Sequence, residues 1–398
     1  MKTSTKVKVA SLGATNFIVV LVNTILFPVF PQIKEALNIG MQELSLLHIS
    51  VSFPSALINP LGGILADRWG RKKVMIPSLI LYGFGGLVAG ASIFLLEKPF
   101  YTILLGRLLQ GIGSATPMFL TIALAGDIFQ SDERTKAIGY LEAANSLGKL
   151  FSPIIGGFIS LIAWYAPFFS YIIFTIPVII AIWLLIDEPE PKRRQVKEEL
   201  KSLHKLKNPS NILAMCTAFL VIFVTIGTMF WLSNVLEDRL NIGKVLRGFV
   251  ISLPVMALMA TTIFAHSLGK KLGIRLMMIV GLFLIAAAMV GIAFLLNTHL
   301  FWLFIALVGI GAGLLLPSLD TVSTALSSGE HRGVFTTIFG SIRCLGSAVA
   351  PYVFTILLKI SLPATFLPIA SVSILLGIAI LLLFQEDKIL PKNLRPQG

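Results

Sequence analysis

Residues 62–73 read GGILADRWGRKK, and this stretch joins two long apolar runs at 44–66 and 74–96. Its second half crowds one acidic and four basic residues into seven positions, whereas neither flanking run contains a charged residue. About 20 consecutive apolar residues are enough to cross a bilayer as a helix. The stretch is therefore typical of a short basic loop that connects two membrane-spanning helices.

The composition of the whole chain fits a membrane protein. Of its 398 residues, 56% are hydrophobic and only 13% are charged, about half the charged share of soluble domains. We therefore expect no enzyme and no nucleic-acid partner, and basic loops at a bilayer explain the net charge of +13 better than phosphate binding does. The two cysteines, Cys216 and Cys344, lie within apolar runs and predict neither a disulfide nor a metal site.

Apolar runs of spanning length recur twelve times, which predicts an all-α integral membrane protein with twelve transmembrane helices. Most of the 32 lysines and arginines fall in segments on the same side as the N-terminus. By the positive-inside rule, both termini are expected in the cytoplasm and the protein in the cell (inner) membrane. The predicted spans are 9–30, 44–66, 74–96, 100–126, 137–160, 164–186, 212–236, 246–268, 276–296, 300–326, 333–358 and 362–385.

The two halves of the chain repeat one plan, which indicates an internal duplication. The prediction is a six-helix bundle at 1–186, a cytoplasmic linker at 187–211 and a second six-helix bundle at 212–398. Two such bundles around a central cavity describe a rocking-type secondary transporter. The matching residues, at one offset, are Gly111, Gly113, Gly148 and Pro153 in the first half and Gly309, Gly311, Gly346 and Pro351 in the second.

The loop at 62–73 resembles motif A of the major facilitator superfamily, and the resemblance to that family covers the whole chain. Motif A acts as a latch at the inner gate, which implies that Asp67 pairs with Arg71 or with a helix N-terminus of the other half. The second copy has His266 in place of Asp67, so a weaker latch is expected there. The residues expected at the inner gate are Gly63, Asp67, Arg68, Gly70, Arg71, Asp127 and Arg134.

Three further motifs resemble those of the twelve-helix drug:proton antiporters of this family. Residues 106–113 (GRLLQGIG) resemble motif B, whose arginine, here Arg107, is assigned to proton coupling. Residues 23–31 (NTILFPVFP) resemble the proline motif of the first span. The fifth span resembles the antiporter motif C, which is typical of exporters, with a serine in place of one glycine. Its residues here are Gly139, Gly148, Ser152, Pro153, Gly156 and Gly157.

Five charged residues are embedded in the predicted spans. A charge at the bilayer centre costs about 2.5–3.5 kcal/mol on the insertion scale, so each needs a functional or structural reason. Two acids lie roughly 7–10 Å from the inner end of their spans, and two cations roughly 15–18 Å from it. In that order, these four residues are Glu142, Asp320, Lys149 and Arg343, and Arg107 is the fifth.

Glu142 is the first choice for a proton carrier. An acid that moves between a buried environment and one beside Lys149 or Arg107 would bind and release a proton. The alternative is a static pair between Glu142 and Lys149 that only holds the fifth span. Asp320 is the second choice, or else part of the inner gate, while Arg343 would meet an anionic head group or pair with an acid across the cavity.

Polar stripes at helical spacing predict the faces that line a water-accessible cavity. The first span contributes two asparagines and no acid, although many drug antiporters of this family have an acid there. Aromatic side chains nearby would form an apolar pocket, or pack between helices. The expected cavity residues are Asn16, Asn23, Phe27, Ser52, Ser55, Gln110, Asn145, Trp231 and Arg343.

The expected function is proton-coupled export of lipophilic or amphipathic compounds by alternating access. The alternative within the same fold is a transporter of a lipid or a glycolipid precursor. The embedded charges disfavour a non-transporting sensor or scaffold. No Gly-x4-Gly-Lys-Ser/Thr motif occurs, so the proton gradient, rather than ATP or a cofactor, is the expected energy source. The expected partners are protons, a small lipophilic substrate and membrane lipids, and a monomer is expected.

Overall fold

The computed structural model describes residues 3–129, 131–187, 208–238, 242–326 and 332–389. Most of the predicted linker at 187–211, and the side chains of Asp67 and His266, lie outside this description. Helices make up nearly all of the described chain. Lipid offers no partner to backbone N–H and C=O groups, so a spanning segment closes its hydrogen bonds within itself. The predicted all-α membrane fold is confirmed.

The first compact unit comprises Met1–Gln195 and Ser233–Ile251. Two of its spans are broken where prolines interrupt helical hydrogen bonding: a 3-10 turn at Phe27–Val29 divides the first span, and Pro117 begins the second part of the fourth. Its helices are α1 (Thr3–Thr24), α2 (Phe30–Ala36), α3 (Met41–Trp69), α4 (Arg71–Leu95), α5 (Phe100–Ser114), α6 (Pro117–Ile128), α7 (Ser131–Ile159) and α8 (Ala166–Leu185).

The second compact unit comprises Val196–Leu232 and Ser252–Gly398. The last turns of α9 and the first turns of α10 belong to the first unit, because residues 233–251 pack on the helices of that unit. The helices of the second half are α9 (Pro209–Asp238), α10 (Lys244–Leu272), α11 (Ile274–Phe294), α12 (Phe301–Leu326), α13 (Arg332–Leu358), α14 (Leu362–Leu383) and the short α15 (Glu386–Ile389).

Eleven helical segments of the described chain are long and apolar enough to cross a membrane. They correspond to all the predicted spans except the fifth, with α1 and α2 together forming the first and α5 and α6 the fourth. Helix α7, in the place of the fifth span, has 29 residues like α3. This helix is less apolar than the other eleven segments, because it carries Glu142, Lys149 and four charged residues near its start.

Each unit has its own core of apolar side chains. In the first unit the core is drawn from all six spans, and its fully buried members include Leu12, Leu79, Leu124, Leu141 and Ile182. In the second unit a smaller cluster joins α10, α11 and α12 through Ala265, Met277 and Leu314. Since lipid is as apolar as leucine, close packing between helices rather than exclusion from water stabilises these interfaces.

Glycine contacts repeat between the two units as the internal duplication predicts. A side chain at Gly111 would overlap the Val51 carbonyl oxygen on α3, and one at Gly309 would overlap the Pro254 carbonyl oxygen on α10. Equivalent contacts join α7 to α1 and α13 to α9. There a Cβ atom at Gly148 would lie 2.8 Å from the Phe17 oxygen, and one at Gly346 would lie 2.5 Å from the Phe219 oxygen. Matching sequence positions therefore make matching helix contacts within each unit.

Candidate transport site

The break in the first span exposes backbone carbonyl groups to side chains of other spans. Pro28 and Pro31 lack the N–H groups that a continuous helix would need at these positions. The carbonyl oxygens of Val22, Phe27 and Pro28 each accept a hydrogen bond from a side chain of another span. The proline motif thus turns the first span into an acceptor for polar residues of its neighbours.

Arg107 is buried at the centre of the largest of these networks, with 1% of its surface exposed. Its Nε donates to the Leu47 carbonyl oxygen at 3.1 Å, and its Nη2 donates to Val22 O at 3.1 Å. Its Nη1 donates to Gln110 Oε1 at 2.8 Å and to the Tyr171 hydroxyl at 3.1 Å. Neutral acceptors from four spans therefore hold this cation, and among the described residues no carboxylate lies within ion-pair distance of it.

Most polar residues predicted to line a cavity in the first unit are buried and hydrogen-bonded to one another. Thr121 Oγ1 donates to Asn16 Oδ1 at 2.6 Å, and Asn16 Nδ2 donates to the Leu141 carbonyl oxygen at 3.4 Å. Ser55 donates to the Gly111 carbonyl oxygen at 2.7 Å, and Ser52 lies 3.1 Å from His48 Nε2. These contacts join spans one, two, four and five. Of the two asparagines on the first span, only Asn23 is partly exposed.

Glu142 and Lys149 are exposed on α7, two helical turns apart. The Asn145 side chain, on the same stripe, donates to Glu142 Oε2 at 3.4 Å. An exposed carboxylate on an otherwise apolar span can exchange protons with water, as a proton carrier must. The geometry is compatible with a carrier and with a structural charge, so both interpretations of Glu142 stay open.

The motif C residues form the surface through which α7 packs on the first span. A side chain at Gly156 would overlap the Ile25 carbonyl oxygen, and a Cβ atom at Gly157 would lie 2.8 Å from the Lys244 oxygen. Ser152, which replaces the usual glycine, donates to the Leu21 carbonyl oxygen at 3.0 Å. At Gly139, by contrast, a Cβ atom would meet nothing within 4 Å in the part of the chain that the structure describes. All but this last glycine therefore serve close backbone contact.

The motif A stretch pairs with the last turns of the fourth span. Arg71 forms an ion pair with Asp127 and donates to the Ala123 carbonyl oxygen. Arg134 and Arg68 are exposed. Gly70 has a φ of 104°, a value that residues with a Cβ atom rarely adopt, so this glycine is required for the turn between α3 and α4. The predicted pairing of Asp67 falls on a side chain outside the described set.

In the second unit, Asp320 and Arg343 form an ion pair of 2.7 Å, with 60% and 24% of their side chains exposed. The sequence left two alternatives for Arg343, an anionic head group or an acid, and the partner seen here is an acid. Trp231 is instead enclosed by Phe301 and Phe366, at ring-centroid distances of 6.0 and 4.9 Å. Phe27, in the first unit, is also fully buried. Neither ring presents an open surface, so their assignment to a cavity stays a prediction.

An apolar cavity of about 720 Å³ lies in the second unit between α9, α13 and α14. Aromatic residues Phe219 and Phe223 form one wall, and aliphatic residues of α13 and α14 form the other. Its lining contains no charged residue, so it suits an apolar group. The sequence analysis did not identify this cavity, because apolar residues facing a cavity and apolar residues facing lipid have the same pattern.

Sequence reasoning also missed contacts that require the tertiary structure. Glu386 accepts hydrogen bonds from the first two backbone N–H groups of α11, at 3.0 and 3.3 Å, which is a favourable place for an anion. Lys8 donates to Asp187 at 2.8 Å, and this bond lowers the pKa of the Asp187 carboxyl group. Arg247, in the first turn of α10, is 2% exposed. Its sequence position, beside a loop, gave no sign of burial.

Comparison with known proteins identifies a family and several relatives. The model of the Major Facilitator Superfamily matches residues 12–351 and 248–398. The chain is 29% identical over 364 residues to the Bacillibactin exporter of Bacillus subtilis (strain 168), covering 88% of this chain and 90% of that protein. It is 26% identical over 377 residues to Multidrug resistance protein 2 of the same organism, covering 92% of each.

A solved structure shares the fold. The human organic anion transporter MFSD10 (TETRAN) superimposes with a TM-score of 0.71 at 19% identity, covering 94% of this chain and 99% of that one. At this identity the similarity concerns the fold alone.

Proposed function

Because this chain belongs to the Major Facilitator Superfamily, a family of transporters rather than enzymes, we propose that it is a proton-coupled exporter of lipophilic or amphipathic compounds. It would work by alternating access in the cell membrane, with both termini in the cytoplasm. The proton gradient would supply the energy without a cofactor, and the working unit would be a monomer.

The observation that carries this proposal is the construction of α7. One set of its residues, motif C, packs closely on the first span through Gly156 and Ser152. On the same helix, Glu142 and Lys149 are exposed. A change in the protonation of Glu142 would therefore act on a helix that is tightly joined to the broken first span. Such a connection is what coupling between a proton and helix movement requires.

The relatives support the direction and the cargo. Two of them are, by name, an exporter and a multidrug resistance protein, and the chain aligns with both over most of their length. The apolar cavity beside Phe219 and Phe223 would suit the apolar part of such compounds. Membrane lipids would surround the bundle and compete for the same surface.

A proton-flux experiment in proteoliposomes tests the assignment of Glu142. Glu142→Gln is expected to abolish uphill export of a lipophilic dye driven by a pH gradient, while downhill exchange of the dye continues. Glu133→Gln is the matched control, because Glu133 lies on the same helix near its inner end and is expected to leave uphill export intact. Full uphill export by Glu142→Gln would eliminate Glu142 as the essential carrier, and Asp320→Asn, measured alongside, would then decide on the second choice.

A second candidate function is export of an anionic amphiphile, including a lipid or a glycolipid precursor. The specific observation in its favour is Arg343, a mostly buried cation of the second unit whose Nε has no hydrogen-bond partner among the described residues. An anionic group would displace Asp320 from this arginine. Measuring dye export and flipping of a labelled anionic lipid in the same vesicles separates the two: lipid flipping without dye-linked proton flux would contradict the drug-export proposal.

A further inference from the structure

Residues 233–238 and 242–251 form a strap on the first unit. The strap consists of the last turns of α9, the described part of the connection after it (residues 242 and 243) and the first turns of α10, and it belongs to the first unit by its contacts. It contacts the turn at Phe27–Val29, which follows α1 and so lies away from the N-terminus. The predicted orientation puts this end of the unit on the outer side of the membrane. In a transporter that works by alternating access, this is the end that must open to release an exported compound.

Arg247 fixes the strap from a buried position. Its Nη1 donates to the Pro28 carbonyl oxygen at 3.0 Å, and its Nη2 donates to the Ile242 carbonyl oxygen at 2.9 Å. The same guanidinium forms an ion pair with Glu237. One residue thereby joins α9, the connection, α10 and the broken first span. The guanidinium spreads these contacts over two nitrogen atoms, whereas a lysine ammonium carries all its donors on one atom, so lysine would not reproduce them.

Further contacts hold the strap at the same place. Ser233 donates to the Phe27 carbonyl oxygen, next to the acceptor of Arg247. A Cβ atom at Gly248 would lie 2.5 Å from the Pro153 carbonyl oxygen, so the first turns of α10 touch motif C backbone to backbone. The strap thus lies on two segments at once, the break in the first span and motif C on α7.

We propose that Arg247 is the positioning residue that locks the outer side closed during the transport cycle. The lock uses carbonyl oxygens of the 3-10 turn that divides the first span. These hydrogen bonds form only while the strap is packed on that turn. The proposal concerns the conformational equilibrium, and it holds for any exported compound and any proton carrier.

The test measures the distance between spin labels at position 162, after α7, and position 246, on the strap. Both side chains are exposed, at 83% and 58%, and the two native cysteines are replaced in every sample. The unmodified chain is expected to give one short distance in detergent without substrate or gradient. Arg247→Gln removes hydrogen bonds from a charged donor, each worth about 1.5–3 kcal/mol, so the ratio of open to closed molecules is expected to rise at least about tenfold.

Lys244→Gln is the matched control for this measurement. Lys244 is a cation on the same strap, one turn from Arg247, and its Nζ donates to the Ser160 carbonyl oxygen at a long distance of 3.5 Å. Its distance distribution is expected to match that of the unmodified chain. An equal opening in Lys244→Gln and Arg247→Gln would show that loss of any strap cation opens this end, and would overturn the specific role of Arg247.

A second variant keeps the proposal testable where Arg247→Gln does not fold. Gly248→Ala leaves the arginine in place but puts a Cβ atom against Pro153, so it is expected to lift the strap and populate the longer distance. An unchanged short distance in folded Arg247→Gln, or in Gly248→Ala where that is the variant available, would refute the lock. Because no cargo is present, this result does not depend on whether the proposed export activity is correct.

Discussion

The Arg107 network makes a quantitative prediction about the first unit. Replacing Arg107 by lysine keeps the charge but replaces a fork of five donors by a single ammonium group. An ammonium at the position of Nη1 would retain Gln110 and Tyr171 as acceptors. It would lose two hydrogen bonds of 3.1 Å each, the one from Nε to the Leu47 carbonyl oxygen and the one from Nη2 to the Val22 carbonyl oxygen.

The expected loss of stability follows from the loss of these two hydrogen bonds. A buried hydrogen bond from a charged donor is worth about 1.5–3 kcal/mol, so Arg107→Lys is expected to lower the free energy of unfolding by about 3–6 kcal/mol. With about 2–4 °C of melting temperature per kcal/mol for a unit of this size, the melting temperature should fall by at least about 6 °C. Tyr171→Phe, which removes one acceptor and leaves the cation its other three, should cost only about 0.5–1.5 kcal/mol.

Thermal unfolding of the purified protein in detergent, followed by tryptophan fluorescence, measures both changes. Arg68→Lys is the control, because Arg68 is exposed and exposed substitutions usually change stability by no more than about 0.5 kcal/mol. A melting temperature for Arg107→Lys within about 1 °C of the unmodified protein would refute the reasoning. It would mean that the neutral acceptors of four spans do not stabilise the fold through this arginine.

Two further predictions use the same measurement. Gly156→Ala should destabilise the protein by at least about 1–3 kcal/mol, since the new methyl group meets the Ile25 backbone. Gly139→Ala, on the same helix, has open space for its methyl group and should stabilise the protein by about 0.5–1 kcal/mol. Similar melting temperatures for the two variants would contradict the packing of α7. Asp320→Asn should change the free energy of unfolding by no more than about 1 kcal/mol, because the carboxylate that pairs with Arg343 is 60% exposed. A loss of several kcal/mol in the same assay would show that the pair is a buried structural one.

The helices and the internal repeat were predictable because both follow from local chemistry. Lipid forces each apolar run to close its backbone hydrogen bonds internally, so run length alone predicted the spans. The repeated glycines at 111 and 309 gave matching contacts, since each packs against the backbone of the neighbouring span in its own unit. The fifth span, in the place of α7, was also predicted as an apolar run, although it carries Glu142 and Lys149.

The candidate site was predictable only as residue types on helix faces. Helical spacing put Glu142, Asn145 and Lys149 on one stripe, and the structure keeps them on α7 with the two charged side chains exposed. The same reasoning grouped Asn16, Ser52 and Ser55 with them as cavity residues, whereas the structure buries all three. Asn16 and Ser55 hydrogen-bond to other helices, and Ser52 lies beside His48 of its own helix. A polar side chain on an apolar span faces either water or another polar group, and spacing along one helix does not distinguish these partners.

By itself, the sequence determined how many helices cross the membrane, which residues repeat and which charges are embedded, because each depends on neighbours within one or two turns. Only the tertiary structure decided that Arg107 binds neutral acceptors, that Asp320 pairs with Arg343 and that Arg247 is buried against Pro28. These contacts join residues up to 219 positions apart. Their partners are mostly backbone carbonyl groups, which every residue possesses, so no pattern of side chains marks them in advance.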